Sequence, residues 1–231
     1  MNYIRTFSNI SADDIAHVGG KSASLGEMYN GLAKLNVNVP DGFAITSDAY
    51  WDVLKHGNIV EPLKRLMLDT DIRDVASLQK NASQARDLIA NAELPKKLQE
   101  DICTAYSCLI KKYGQDLSVA VRSSATAEDL PTASFAGQHD TFLNIRGKES
   151  LITAYKKCLA SLFTDRAIVY REDKNYDHFK VALSVCVMKM VRSDNASSGI
   201  MFTVDTDSGF EDVIFINSTF GLGESIVQGL V

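Results

Sequence analysis

Arg122 ends an apolar run, Val119-Ala120-Val121, and is followed closely by Ser123, Ser124 and Thr126. A guanidinium offers a planar fork of N–H donors that matches the oxygens of a phosphate. Hydroxyls and the backbone N–H groups of a turn can add donors around it. The combination suits an oligophosphate held at a strand end. The same residues also permit a solvated loop in which Arg122 pairs with Glu128 or Asp129, and residue types alone leave both readings open. Gly137, within Ser134-Phe135-Ala136-Gly137-Gln138, lies just before a second strand-like run. Glycine there allows a backbone to approach a ligand closely, or simply makes a turn. Lys21 follows Gly19-Gly20 at the entry to a helical segment. A cation at a helix N-terminus opposes the macrodipole, and a bound anion would remove that conflict; a solvated lysine is the plainer alternative. Neither glycine-containing stretch has the GxxxxGK[ST] spacing, so a P-loop is unsupported.

Other chemistry-bearing residues carry weaker signals. His17, His56, His139 and His178 show no HxH or HxxxH spacing, and surface or satisfied histidines are the ordinary outcome. Asp205, Asp207, Glu211 and Asp212 gather in one short stretch, which reads more readily as a turn between strands than as a metal site. Glu224, in Gly221-Leu222-Gly223-Glu224, sits in a glycine-rich bend where a polar ligand contact is conceivable. Cys103, Cys108, Cys158 and Cys186 form no CxxC pair, so neither a disulfide framework nor a zinc site is expected, and buried inert thiols are.

The elements that must position these residues follow from periodicity. Leu25, Met28, Leu32 and Leu35 recur at helical spacing. Pro40-Asp41-Gly42 is a turn, "FAIT" a short strand, and "SDAYWDVLKHG" a helix stopped at Gly57. The stretch 58–114 is expected to be helical, with Val75, Leu78, Ala82, Ala85 and Leu88 on one face. Pro95 is expected at a first helical position, followed by Leu98, Ile102, Ala105 and Leu109, with Gly114 as a stop. A strand near 141–145 and helices over 148–163 and 165–173 follow. Three β-rich runs, "VALSVCVMKMV", "SSGIMFTVD" and "DVIFINSTF", occupy the remainder. The order predicts an α+β protein with a helix-rich first subdomain over 1–180 and a second, incomplete one over 181–231.

Composition narrows the class. A formal net charge of −5 disfavours a nonspecific nucleic-acid binder, and local cations can still hold an anion. The N-terminus lacks an apolar signal core, and no stretch nears the ~18 apolar residues of a membrane span. A cytoplasmic protein with no membrane partner is expected.

Read together, "VGGKSASLGEM", "VPDGFAITSDAY", "VAVRSSATAEDLPTASFAGQHDTFLNI", "ASLFTDRAIVYR", "MVRSDNASSGIMFTVDTDSGF" and "FGLGESIVQGLV" resemble, in order, the N-terminal nucleotide-binding region of the phosphoenolpyruvate synthase (pyruvate, water dikinase) family. Pyruvate phosphate dikinase and rifampin phosphotransferase share that module more distantly. The resemblance implies an ATP-grasp-like fold with ATP between two subdomains. It implies a reaction in which ATP, pyruvate and water give phosphoenolpyruvate, AMP and phosphate, by way of a phosphohistidine on a separate domain. It also implies that Lys21 and Arg122 reach the phosphates and that Gly137 and Thr141 belong to a lid over them. Met188 to Val191, with Met188 and Met190 as candidates, would run past the adenine. Relatives commonly carry glutamine where this chain has Met188. Ser123, Gln138, Lys189 and Glu224 are neighbouring candidates for nucleotide contact.

The same resemblance places the phosphohistidine, the pyruvate site and the acidic ligands of magnesium outside this chain. No catalytic residue and no metal ligand is therefore expected within it, and the chain alone is expected not to make phosphoenolpyruvate. Two alternatives remain: a stand-alone, non-catalytic nucleotide-binding or interaction module, and the ATP-binding part of a rifampin phosphotransferase-like enzyme. Unpaired strand edges in a half-built second subdomain would favour self-association.

Overall fold

The computed structural model describes residues 3–126, 129–130, 133–134 and 140–230. It divides into two compact units, Met1–Met190 and Val191–Val231. In the first unit, strand β1 (Ile4–Thr6) leads to helix α1 (Ile15–Leu32) and strand β2 (Gly42–Ile45). Four helices follow: α2 (Ser47–His56), α3 (Val60–Leu68), α4 (Val75–Ala90) and α5 (Lys96–Tyr113). Strand β3 (Val119–Ala125), the short pair β4 (Asp129–Leu130) and β5 (Ala133–Ser134), and strand β6 (Thr141–Ile145) come next, then α6 (Lys148–Ala160), α7 (Asp165–Asp173) and strand β7 (Leu183–Lys189).

Five strands form one antiparallel sheet in the order β1-β2-β7-β3-β6. Because side chains alternate along a strand, the register sorts them cleanly onto two faces. Phe43, Ile45, Val119, Val121, Val185 and Val187 share one face and are buried in the main core with residues of α2, α4, α5 and α6. Gly42, Ala44, Ala120, Arg122, Ser124, Ser184, Cys186 and Met188 share the other. That second face is covered by α1, which packs on β7 and β3.

The small residues explain how α1 fits. Its buried positions are Val18, Gly19, Gly20, Ser22, Ala23 and Gly26, rather than the expected stripe of Leu25, Met28, Leu32 and Leu35. Leu35 is 69% exposed and Met28 40%, while Leu25 packs against the small cluster around Phe7, so hydrophobic spacing marked only part of the packed side. A Cβ on Gly19 would lie 2.4 Å from the Ser124 carbonyl oxygen of β3, and one on Gly26 2.6 Å from the Ile10 side chain in the loop before α1. Close approach of helix to sheet selects glycine, alanine and serine, and a search for large apolar residues cannot see that.

The helical region 58–114 resolves into α3, α4 and α5, with Pro95 at the N-cap of α5, one place before the expected first helical position. Gly114 ends α5 at φ +98° as anticipated. On α4 the buried set is Leu78, Asn81, Ala82, Ala85 and Ile89, leaving Val75 exposed. Of the four cysteines, all free, only Cys158 and Cys186 are buried, and Cys108 is exposed. No helix among the described residues is long and apolar enough to cross a membrane.

The second unit holds a two-stranded antiparallel sheet of β8 (Ser197–Phe202) and β9 (Phe215–Phe220), with a short helix α8 (Glu224–Val227). The structural division falls at 190/191, ten residues beyond the expected boundary at 180/181. The physical reason is β7: this run pairs along its whole length with β3 and in part with β2, so it is central to the first sheet. Between β8 and β9, Asp205 accepts hydrogen bonds from the Ser208 hydroxyl and from the Asp207 N–H, making the acidic stretch a turn.

Candidate functional site

The site begins at a break in α1. Gly19 has φ +72° and ψ 164°, which separates a first turn, Ile15–Val18, from the helix that restarts at Gly20. This backbone region is essentially open only to glycine. A Cβ at position 19 would also collide with the Ser124 carbonyl and hydroxyl oxygens of β3. The restarted helix is fastened to that strand: the Ser22 N–H donates to the Ser124 Oγ at 3.2 Å. A loop-to-helix entry was expected at Gly19-Gly20-Lys21, and the kink supplies it inside what is otherwise one helix.

Beside this joint lies a cavity of about 400 Å³. It is lined by Gly20, Lys21, Ser24, Leu25 and Met28 from α1, Arg122 from β3 and Cys186 from β7. Lys21 and Arg122 thus meet at one cavity despite their distance along the chain. The Nε of Arg122 is buried and has no hydrogen-bond partner among the described residues. Leaving such a donor unpaired costs about 1–3 kcal/mol, more for a charged group, so the arrangement is built for an acceptor. Burial pushes the Cys186 thiol up to about 12, against the opposing pull of the Arg122 and Lys21 charges, so it stays a neutral wall. Among the described residues the lining has two cations, a helix start and no carboxylate, and it fits an anion with several oxygens. No group of three His, Cys, Asp or Glu side chains among the described residues could hold a metal ion.

The other candidates fall into distinct places. Thr141 is paired with Arg122 across β3–β6 and is exposed. Met188 lies on the α1 side of β7, partly buried against the small cluster that includes Phe7, Ile10 and Ala44, and outside the cavity lining. Met190 follows β7, its N–H bonded to the Ser118 carbonyl at 3.0 Å. Lys189 points to the opposite side of the sheet from Met188, with its Nζ 5.0 Å from the Tyr113 ring centroid. Ser123 likewise faces away from the cavity, its hydroxyl 3.5 Å from the Asp140 carbonyl. Glu224 opens α8 in the second unit and accepts from Gln228 Nε2 at 3.2 Å. Gly137 and Gln138 lie outside the described residues, as does Glu128, and the side chain of Asp129 is not described.

Two features escaped sequence reasoning. Ser124, rather than Ser123, shares the Arg122 face, and strand alternation alone would have separated them. Ser24, Leu25, Met28 and Cys186 form walls that no spacing rule announces, because they come from two separate elements.

Comparison with known proteins accords with this geometry. The family described as "Pyruvate phosphate dikinase, AMP/ATP-binding domain" matches residues 15–231. A phosphoenolpyruvate synthase of Helicobacter pylori is 50% identical over the whole of this chain, which covers 29% of that protein. One from Synechocystis is 48% identical over 97% of the chain and 28% of its own length. A probable phosphoenolpyruvate synthase of Methanocaldococcus jannaschii is 44% identical over the whole chain and 19% of its own length. The chain therefore spans less than a third of the length of these relatives. With the match covering nearly every residue, the chain belongs to the pyruvate phosphate dikinase AMP/ATP-binding domain family.

Proposed function

We propose that this chain is the ATP-binding front of a phosphoenolpyruvate synthase, and that the cavity between α1 and β3 receives the triphosphate. The observation that carries the reading is the buried, unpartnered Nε of Arg122 beside Lys21 at the start of a helix. Arg122 would hold a phosphate oxygen through a charge-assisted hydrogen bond, and Lys21 would add a second positive charge from the first helical turn. Both charges would offset the negative charge that shifts among the oxygens as phosphoryl groups leave, the largest contribution a protein makes to this class of transfer. The apolar side of the cavity, Leu25 and Met28, would limit water around the phosphates.

The fold we infer is ATP-grasp-like, with the second unit as part of the other nucleotide-holding half. Met188 and Met190 would border the adenine through backbone groups, Thr141 would belong with Gly137 to a lid, and Glu224 is a further candidate from the second unit. Ser123 and Lys189, which face away, would act only indirectly. Magnesium would enter with the nucleotide and take its protein ligands from residues outside this chain. The overall reaction we infer for the full-length protein converts ATP, pyruvate and water to phosphoenolpyruvate, AMP and phosphate. The names and identities of the relatives support that inference.

Calorimetry with ATP, with and without magnesium, tests the site. Saturable binding that weakens about 10-fold or more, and stays measurable, in both Arg122→Ala and Lys21→Ala is the expected result. Binding that survives both substitutions would move the triphosphate elsewhere and overturn the reading.

A further inference from the structure

Lys21 and Arg122 belong to different elements, so their separation depends on what joins α1 to β3. Ser124 sits two residues beyond Arg122 on the same face of β3 and is fully buried. Its hydroxyl accepts the Ser22 N–H, the residue next to Lys21. Its carbonyl and hydroxyl oxygens fill the space that a Cβ at Gly19 would need. The neighbouring hydroxyl of Ser184 makes no such link: it is buried with no hydrogen-bond partner among the described residues. Ser184 lies directly opposite Ser124 in β7. One residue thus meets α1 both at its break and in the turn that restarts after it, where the cation-bearing turn begins.

We propose that Ser124 is a positioning residue for the triphosphate: its hydroxyl fixes the first turn of the restarted helix, and with it Lys21, relative to Arg122. This rests on the reading of the cavity as a phosphate site. Ser124 does not line the cavity and touches no phosphate; it acts through the Ser22 amide. Without the acceptor, the hydrogen bond that ties the Ser22 N–H to β3 is lost and the turn can shift on the strand. Arg122, held by the sheet on both sides, stays where it is.

The experiment uses inorganic tripolyphosphate as the probe and the 231-residue chain, with affinities from calorimetry. Ser124→Ala is expected to weaken binding about fivefold, the size of one ordinary hydrogen bond. In a Lys21→Ala background the same change is expected to cost nothing further, because the residue it positions is gone. Hydrogen exchange at the Ser22 amide is expected to quicken in Ser124→Ala. An equal loss in both backgrounds, or no loss in either, overturns the positioning role while leaving the phosphate site intact. Wild-type affinity in both Lys21→Ala and Arg122→Ala overturns the phosphate reading, and this inference with it. Should Ser124→Ala fail to fold, Ser124→Cys replaces the hydroxyl with a weak acceptor of similar shape. It is expected to show a smaller loss with the same dependence on Lys21; full affinity together with an unprotected Ser22 amide would overturn the proposal.

Discussion

On one face of the five-stranded sheet, Phe43, Ile45, Val119, Val121, Val185 and Val187 are buried under several helices. On the other, Gly42, Ala44, Ala120, Ser124, Ser184 and Cys186 lie beneath a single helix, and Arg122 stands among them. The strands are the same, so the difference is one of side-chain volume. Large branched residues fill the first face and exclude water, which is where apolar burial stabilises the fold. Small residues on the second let α1 settle close, and leave a cavity where the small wall meets the cations. One sheet therefore separates the main core from the proposed binding face by parity alone.

That separation can be broken experimentally. Phe43→Ala, on the large-residue face, is expected to cost about 3–5 kcal/mol in urea unfolding. The fraction that remains folded should bind triphosphate as the wild type does. A loss of affinity in that fraction matching Arg122→Ala would show that the two faces are not independent. Arg122→Ala should do the opposite. Removing a charge-assisted contact of about 1.5–3 kcal/mol would weaken triphosphate binding roughly 10- to 100-fold in calorimetry. The melting temperature should hold or rise, because a buried unpaired donor goes with it.

Gly19→Ala sharpens the comparison, because Gly19 is where fold and site share one residue. Its backbone conformation and the collision with Ser124 should cost roughly 1–3 kcal/mol of stability. Tripolyphosphate affinity should fall in the same variant. Thermal unfolding that matches the wild type would contradict the packing described for α1.

The smallest expected effect concerns pH and belongs to the helical layer on the large-residue side. The Arg171 Nε donates to His178 Nδ1 at 2.8 Å, which leaves the proton on Nε2, 2.7 Å from Glu172 Oε1. Burial first, and then the Arg171 charge, hold His178 below its ordinary range; Glu172 and Asp177 pull the other way. The unfolded chain thus takes up the proton more readily than the folded one. Stability should be full above about pH 6.5, decline as pH falls through that value, and level off below the folded pKa. His178→Gln, which cannot titrate, should flatten the change in melting temperature between pH 7.5 and pH 5.5. An unchanged slope would assign the effect to other groups.

Much of the fold was legible in the sequence because its signals are local. The strand Thr141–Ile145 and helix Asp165–Asp173 fell at their expected bounds, and the stops at Gly57 and Gly114 stood where glycine predicted them. Arg122 and Lys21 were legible as cations in places where anions are favoured. Most of the packed side of α1 was not, because it is chosen by proximity to the sheet and not by hydrophobicity. Nor was the membership of β7 in the first sheet: a strand's partners depend on non-local pairing, and its own residues read only as β-rich.

The sequence by itself determined most of the longer elements, the family, and the presence of two cations where a phosphate could be held, because these rest on local propensity, residue chemistry and ordered motifs. Only the tertiary structure decided that the pair shares one cavity, that the Ser124 hydroxyl meets the Ser22 amide, and that Gly19 has no room for a Cβ. Those facts depend on which side of a strand faces which helix and at what distance. Backbone register and close packing set both, and neither is written in the order of residues along a single element.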